Sequence, residues 1–345
     1  MKKNGFGALA SGILLFTVLF LFPGLFSKGF ANGLRSCAEI VIPSMFPFLV
    51  SASLTGSGSV PKPVKRIFEP ITQKLFRLPA DCLPAIIIGQ LGGYLSGAKA
   101  ADSLCQSGII TPSQASRLML FSVNAGMGFA VNAVGSIMLG SRQIGRILLF
   151  SLCVSSLITG FLTRFIPDTE AKAPEKIKKT SFSAALVGSV TSGTNAMLAA
   201  CGFVCLFSGI LSIASHFIPN KTASAAISCL FEITNGCMNA AEAFSIPAIA
   251  AACAFGGLCV HFQIFAVTEN CSFGIFRFYL FRIIHSATAF AVCAIYLHFS
   301  PVEHQVFLSL YENAALWSFS APSAVSLLFL SALLILDLDN KCKMC

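Results

Sequence analysis

Charge is scarce in this chain. Of its 345 residues only 11% are charged, and just 14 are acidic, which leaves few carboxylates for general acid and base work. The zinc-binding HExxH, the phosphate-cradling P-loop and the GxSxG nucleophile turn are all missing from the sequence. A membrane protease or an ATP-driven pump therefore lacks its required parts. Ser and His residues occur without the spacing of a catalytic triad, so the chain is not expected to be an enzyme. The basic residues, which give a net charge of +9, show neither aromatic interleaving nor a nucleic-acid-binding motif, and nucleic acid is not an expected partner. A disulfide framework is absent too. The 14 cysteines are scattered through apolar runs, as at Cys153, Cys201, Cys205, Cys253 and Cys293, where they pack as small hydrophobes. The terminal Cys342-Lys-Met-Cys345 lacks a second ligand pair, so no metal site follows from it. Lys2 and Lys3 precede an apolar run from Phe6 to Phe26 that has no small-x-small cleavage site, which favours a retained first helix over a signal peptide.

Apolar sequence is what the chain has in excess. Hydrophobic residues make up 55% and the mean hydropathy is +0.80, more than one soluble core of this length needs. The composition predicts an all-α polytopic integral membrane protein of the cell membrane, with about eight transmembrane helices. They fall near 6–26, 34–56, 117–139, 144–164, 186–214, 247–268, 279–299 and 317–336. Two further apolar segments, 83–104 and 224–245, are interrupted by Gly, Asn, Glu or Lys and read as re-entrant helical hairpins.

The positive-inside rule supports that reading. With both weak segments turning back and the N-terminus cytoplasmic, only Lys28, Arg35, Arg142, Arg146 and Lys221 lie outside; the other basic residues, Arg117 and Arg282 included, lie inside. Making either weak segment span once spoils the bias. Irregular backbone at membrane depth needs protein or a water-filled cavity around it, so two such segments predict a central cavity. The run 39–51 is echoed at 196–208, each followed by a broken segment and a Gly-rich helix, with an odd number of crossings between. That pattern predicts an inverted repeat, unless the likeness is chance similarity between apolar runs. The polar stretch 165–183 reads as a cytoplasmic linker. The run 59–82, with five basic residues and several prolines, is either a solvated loop or a segment lying on the anionic leaflet.

The candidate site residues cluster at the breaks. In Gly92-Gly93-Tyr94-Leu95-Ser96-Gly97-Ala98-Lys99, the glycines allow a helix to stop, and a half-helix starting near Ser96 would aim its N–H groups at an anion. Lys99 either adds a full charge there, snorkels to the interface or pairs with Asp102. In the second segment Glu232, Thr234, Asn235 and Asn239 surround a break expected at Gly236; they suit a hydroxyl, an amide or a coupling cation, or Glu232 simply sits at an interface. The helices after the breaks carry Asn124 and Asn132, expected on one helical face, and His261 and Gln263. His261 is either a site residue or a helix-to-helix hydrogen bond. Gly126, Gly128, Gly256 and Gly257 are expected to permit close helix packing.

Taken together, Ile42-Pro-Ser-Met-Phe-Pro-Phe48, Gly93-Tyr-Leu-Ser-Gly-Ala-Lys99, Gly108-Ile-Ile-Thr with Asn124-Ala, Glu232-Ile-Thr-Asn-Gly236 and Gly256-Gly-Leu-Cys-Val-His-Phe-Gln263 resemble the YlbJ (SpoVV) family of sporulation integral membrane proteins. That family lies among the nucleoside-recognition or Gate-domain proteins, and the likeness runs from about 30 to 300. Leu95 and Met127 depart from it, since the family usually has Pro at or near these places, which leaves the first break to glycine alone. The resemblance implies a fold similar to concentrative nucleoside transporters. Its units are an N-terminal helix at 1–29, Gate-like repeats at 30–164 and 184–300 joined by the 165–183 linker, and a C-terminal helix and tail at 301–345. It also implies transport of dipicolinic acid during endospore formation, in the mother-cell-derived outer forespore membrane. A nucleoside carrier and a structural sporulation scaffold stay open beside it. The expected partners are a small-molecule anion and membrane lipid, with a homo-oligomer left open and no cofactor beyond a coupling proton or Na+.

Overall fold

The computed structural model describes residues 5–168, 181–268 and 274–300, and among them it contains helices and no strand. The expected eighth span at 317–336 and most of the 165–183 linker lie outside the described residues. Five helices there are long and apolar enough to cross a membrane: Pro23–Leu54, Arg142–Thr163, Phe182–His216, Ile246–Val267 and Ile275–Phe299. The chain is a polytopic membrane protein, all-helical over the described residues.

The first two expected spans divide differently. α1 (Gly5–Leu21) stops at Phe22, and α2 (Pro23–Ser36) runs on through a π-helical turn at Cys37–Val41 into α3 (Ile42–Leu54), making one helix of 32 residues. The loop expected between the spans is therefore helical. Gly29 and Gly33 have little helix propensity, but both are buried against the helix Phe182–His216, with Ser208 and Cys205 too close to admit a Cβ. Tertiary packing overrides the local preference.

α4 (Lys62–Phe76) leads through a turn at Ala80–Cys82 into α5 (Leu83–Gly92), bent by 90°. α5 and α6 (Tyr94–Gln106) form the first hairpin. Its break is at Gly93, whose φ of +103° lies where only glycine sits without strain, and α6 starts at Tyr94 rather than near Ser96. The arms cross at Gly89 and Gly97, each of which would drive a Cβ into the Ser122 carbonyl.

That carbonyl ends α7 (Pro112–Ser122), which a capping box starts: Thr111 Oγ1 accepts from Gln114 N at 3.1 Å and Gln114 Oε1 from Thr111 N at 3.1 Å. The expected continuous span 117–139 is broken. After extended Val123 the chain passes through Asn124 to Gly126 without helix and resumes as a π-helical segment, Gly128–Met138. Asn124 and exposed Asn132 thus do not share a helical face. α8 (Arg142–Thr163), started by Ser141, and α9 (Phe182–His216), started by Ser181, are unbroken.

α10 (Lys221–Phe231) and α11 (Ile233–Ala243) form the second hairpin. Its break is at extended Glu232, not at Gly236; Gly236 is inside α11, where its missing Cβ lets the Cys229 backbone approach. The expected span 247–268 is likewise two helices, α12 (Ile246–Phe255) and α13 (Gly257–Val267), separated by left-handed Gly256. α14 (Ile275–Phe299) packs along α12 and α8.

Candidate functional site

Each helical break leaves backbone groups without their usual partners, and the structure satisfies them in different ways. Buried Arg282 of α14 donates from Nη2 to Leu120 O at 2.6 Å and from Nη1 to Val123 O at 2.6 Å and Ala254 O at 3.5 Å. A guanidinium thus sits against the C-terminal carbonyls of α7 and α12, where helix dipoles present negative ends. Its Nε has no partner. Arg117 does similar work at the end of the bundle, donating to Thr163 O at 3.2 Å and to the Phe76 carbonyl. Both arginines are buried, which removes them from the loop charges counted for topology and leaves the sign of that bias unchanged.

Five more side chains serve the breaks. His261 Nε2 donates to Phe255 O at 2.8 Å across the Gly256 break, with the Phe255, Phe278 and Tyr279 rings about it. Asn124 Nδ2 donates to Gln90 Oε1 at 2.7 Å, Gln90 Nε2 to Ser156 Oγ at 2.6 Å, and Ser156 to Phe121 O at 2.6 Å. That chain staples the first hairpin to α7 and α8. The Tyr94 hydroxyl donates to the Cys253 carbonyl, joining the first hairpin to α12.

Between the hairpin tips lies a small cavity of about 40 Å³. Gly92, Gly93 and Tyr94 enter it from the first tip, and Glu232, Ile233 and Thr234 from the second. The rest of the wall comes from Ile40, Val41, Ser44 and Met45, from Gly126, Gly128 and Phe129 beyond the first broken helix, and from Val204, Val260 and Gln263. Most of this lining is apolar, with a few converging polar groups, as small-molecule sites commonly are.

The two tips differ in charge. α6 begins without a side-chain cap, so the positive end of its dipole faces the cavity beside Gly93. α11 is capped by its own carboxylate: Glu232 accepts from Thr234 N at 2.9 Å, Asn235 N at 2.8 Å and Asn235 Nδ2 at 2.8 Å. Such charge-assisted bonds at a helix start hold a buried carboxylate firmly.

Of the residues singled out in the sequence, Gly92, Gly93, Glu232, Thr234 and Gln263 line this cavity. The others lie elsewhere. Ser96 Oγ donates to Gly92 O at 3.2 Å, and Gly97 packs where the hairpin arms cross. Lys99 lies 3.9 Å from Asp102. Asn235 Nδ2 also donates to Ser208 and Asn239 Nδ2 to Ser228, both at 2.9 Å, while Asn124 and His261 serve the breaks as described. Gln90, Tyr94 and Arg282 were not anticipated as site residues. For Arg282 a signal existed: it is an ionisable residue inside the expected span 279–299.

Sporulation integral membrane protein YlbJ of Bacillus subtilis (strain 168) is 24% identical over 198 residues, which cover 51% of this chain and 48% of that protein. The chain is thus distantly similar to YlbJ. It spans about half the length of that relative. No protein-family model matches the chain, and no solved structure does.

Proposed function

We propose that the chain is a secondary transporter for a small organic anion, working by alternating access. The observation that carries this reading is the meeting of two helix breaks, Gly93 and Glu232, at one cavity within a membrane protein. Interrupted helices around a shared cavity are how many secondary carriers bind their solutes. Element order supports two related units: α3, the α5–α6 hairpin, the α7 and π-helical pair and α8 are followed by α9, the α10–α11 hairpin, the α12–α13 pair and α14. An odd number of crossings between them makes the second unit inverted, as in concentrative nucleoside transporters.

The uncapped start of α6 suits a carboxylate, and Arg282 adds positive potential behind it. Across the cavity Glu232 keeps acceptor capacity for a hydroxyl, a ring N–H, a proton or Na+. Dipicolinic acid, a flat dicarboxylate with a ring nitrogen, would set one carboxylate at the α6 start, with a proton or Na+ bridging its other acceptors to Glu232, and the similarity to a sporulation protein favours it, in the outer forespore membrane during endospore formation. The Glu232 carboxylate also suits a ribose hydroxyl, which is why a nucleoside carrier is the second reading. The test is genetic and chemical together. A spore-forming strain relying on this chain is given Glu232→Gln, and spore dipicolinate is measured against the protein level. Depleted dipicolinate at normal protein level is expected; normal dipicolinate would overturn the reading and favour a scaffold.

A further inference from the structure

α4 is built for a surface that the transport reading does not use. Val64, Ile67, Ile71 and Leu75 remain exposed, and their spacing sets them along one stripe of the helix. Lys62 and Arg66 lie on the opposite side and Lys74 at the stripe's margin, all exposed. The third side faces the protein. Lys65 Nζ donates to Asp81 at 2.5 Å, Glu69 accepts from Ala80 N at 2.9 Å, and buried Phe76 stacks on Phe121 at 5.0 Å. The acidic groups nearest the helix are therefore engaged inward, and its outward charge is positive.

Orientation follows from the anchors. The end of α4 sits at the end of α8, held by Arg117 through the Phe76 and Thr163 carbonyls and by Arg77 Nη1 donating to Arg164 O at 3.3 Å. From there the chain enters the first hairpin after a 90° bend. A helix tied to the end of a spanning helix, at right angles to the hairpin arm it feeds, lies along the membrane face. Its apolar stripe then needs acyl chains beneath it, and its cations need anions at headgroup depth.

We propose that α4 is an in-plane helix that binds the anionic phospholipids of its own leaflet, sinking Ile67 and Ile71 into the acyl boundary and setting Lys62, Arg66 and Lys74 against phosphates. The test uses the full-length protein in nanodiscs of phosphatidylcholine alone or mixed with phosphatidylglycerol, with hydrogen exchange read over 62–76. Phosphatidylglycerol should slow exchange there roughly tenfold relative to phosphatidylcholine, from the attraction of several basic groups, while α8 stays unchanged. The triple variant Lys62→Gln, Arg66→Gln, Lys74→Gln should lose that difference. Ile67→Asn with Ile71→Asn should exchange fast in both lipids, α8 again reporting an intact fold. Equal exchange of the wild-type helix in the two lipids would overturn the proposal, as would a triple variant that still distinguishes them.

Discussion

The two hairpin tips reach the same cavity with opposite solutions to the same problem. Each must turn the chain at membrane depth and satisfy the start of a half-helix. The first does so with Gly93, a left-handed φ of +103° and no side-chain cap; the second does so with extended Glu232, whose carboxylate takes two backbone N–H groups of its own helix. One tip leaves a positive end open and the other has filled it. On the transport reading, the difference between the tips orients a solute: its anionic group goes to the open α6 start, and a proton or Na+ is held at Glu232.

The frame that holds both tips in place is the first thing to break. Arg282→Met would leave the Leu120 and Val123 carbonyls buried without their donor, at a cost of about 1–3 kcal/mol for each. Thermal unfolding in detergent is the readout, with Arg282→Lys recovering part of the loss. At the first tip, Gly93→Ala adds a Cβ to a backbone that disfavours it and should cost about 1–3 kcal/mol. At the second tip, an added Cβ is no issue, and Glu232→Ala should cost about 0.5–2 kcal/mol as the loss of a cap. The comparison sharpens if Gly93→Ala is the more destabilising while Glu232→Ala is the more damaging to solute binding. Smallest in its effect at the cavity is Lys99→Ala, which removes the cation 3.9 Å from buried Asp102: about 1–3 kcal/mol of stability should be lost, with solute affinity unmoved in a binding titration.

Composition and breaker residues carried much of this architecture. The hairpins at 83–104 and 224–245 were legible because Gly, Asn and Glu interrupt runs that are otherwise apolar. The broken helices at 117–139 and 247–268 were not, since the break at Asn124 to Gly126 and the one at Gly256 sit among residues that read equally well as a helix with small packing faces. Gly236 drew the second break away from its true place because glycine signals a turn and a close approach alike, and here close approach is its use. Polar residues were found as a class, but their roles were set by neighbours distant in sequence. Asn124 meets Gln90, and Arg282 meets carbonyls some 160 positions away, at Leu120 and Val123. Charge counting treated Arg282 as a loop residue because it weighs position along the chain and not burial.

The most direct test is uptake by proteoliposomes holding the purified protein, offered dipicolinate, other pyridine carboxylates and nucleosides in parallel. The account predicts saturable uptake of dipicolinate that Glu232→Gln abolishes in protein that still unfolds as cooperatively as the wild type. Uptake no greater than that of empty vesicles for every solute, with the protein folded and inserted, would contradict it.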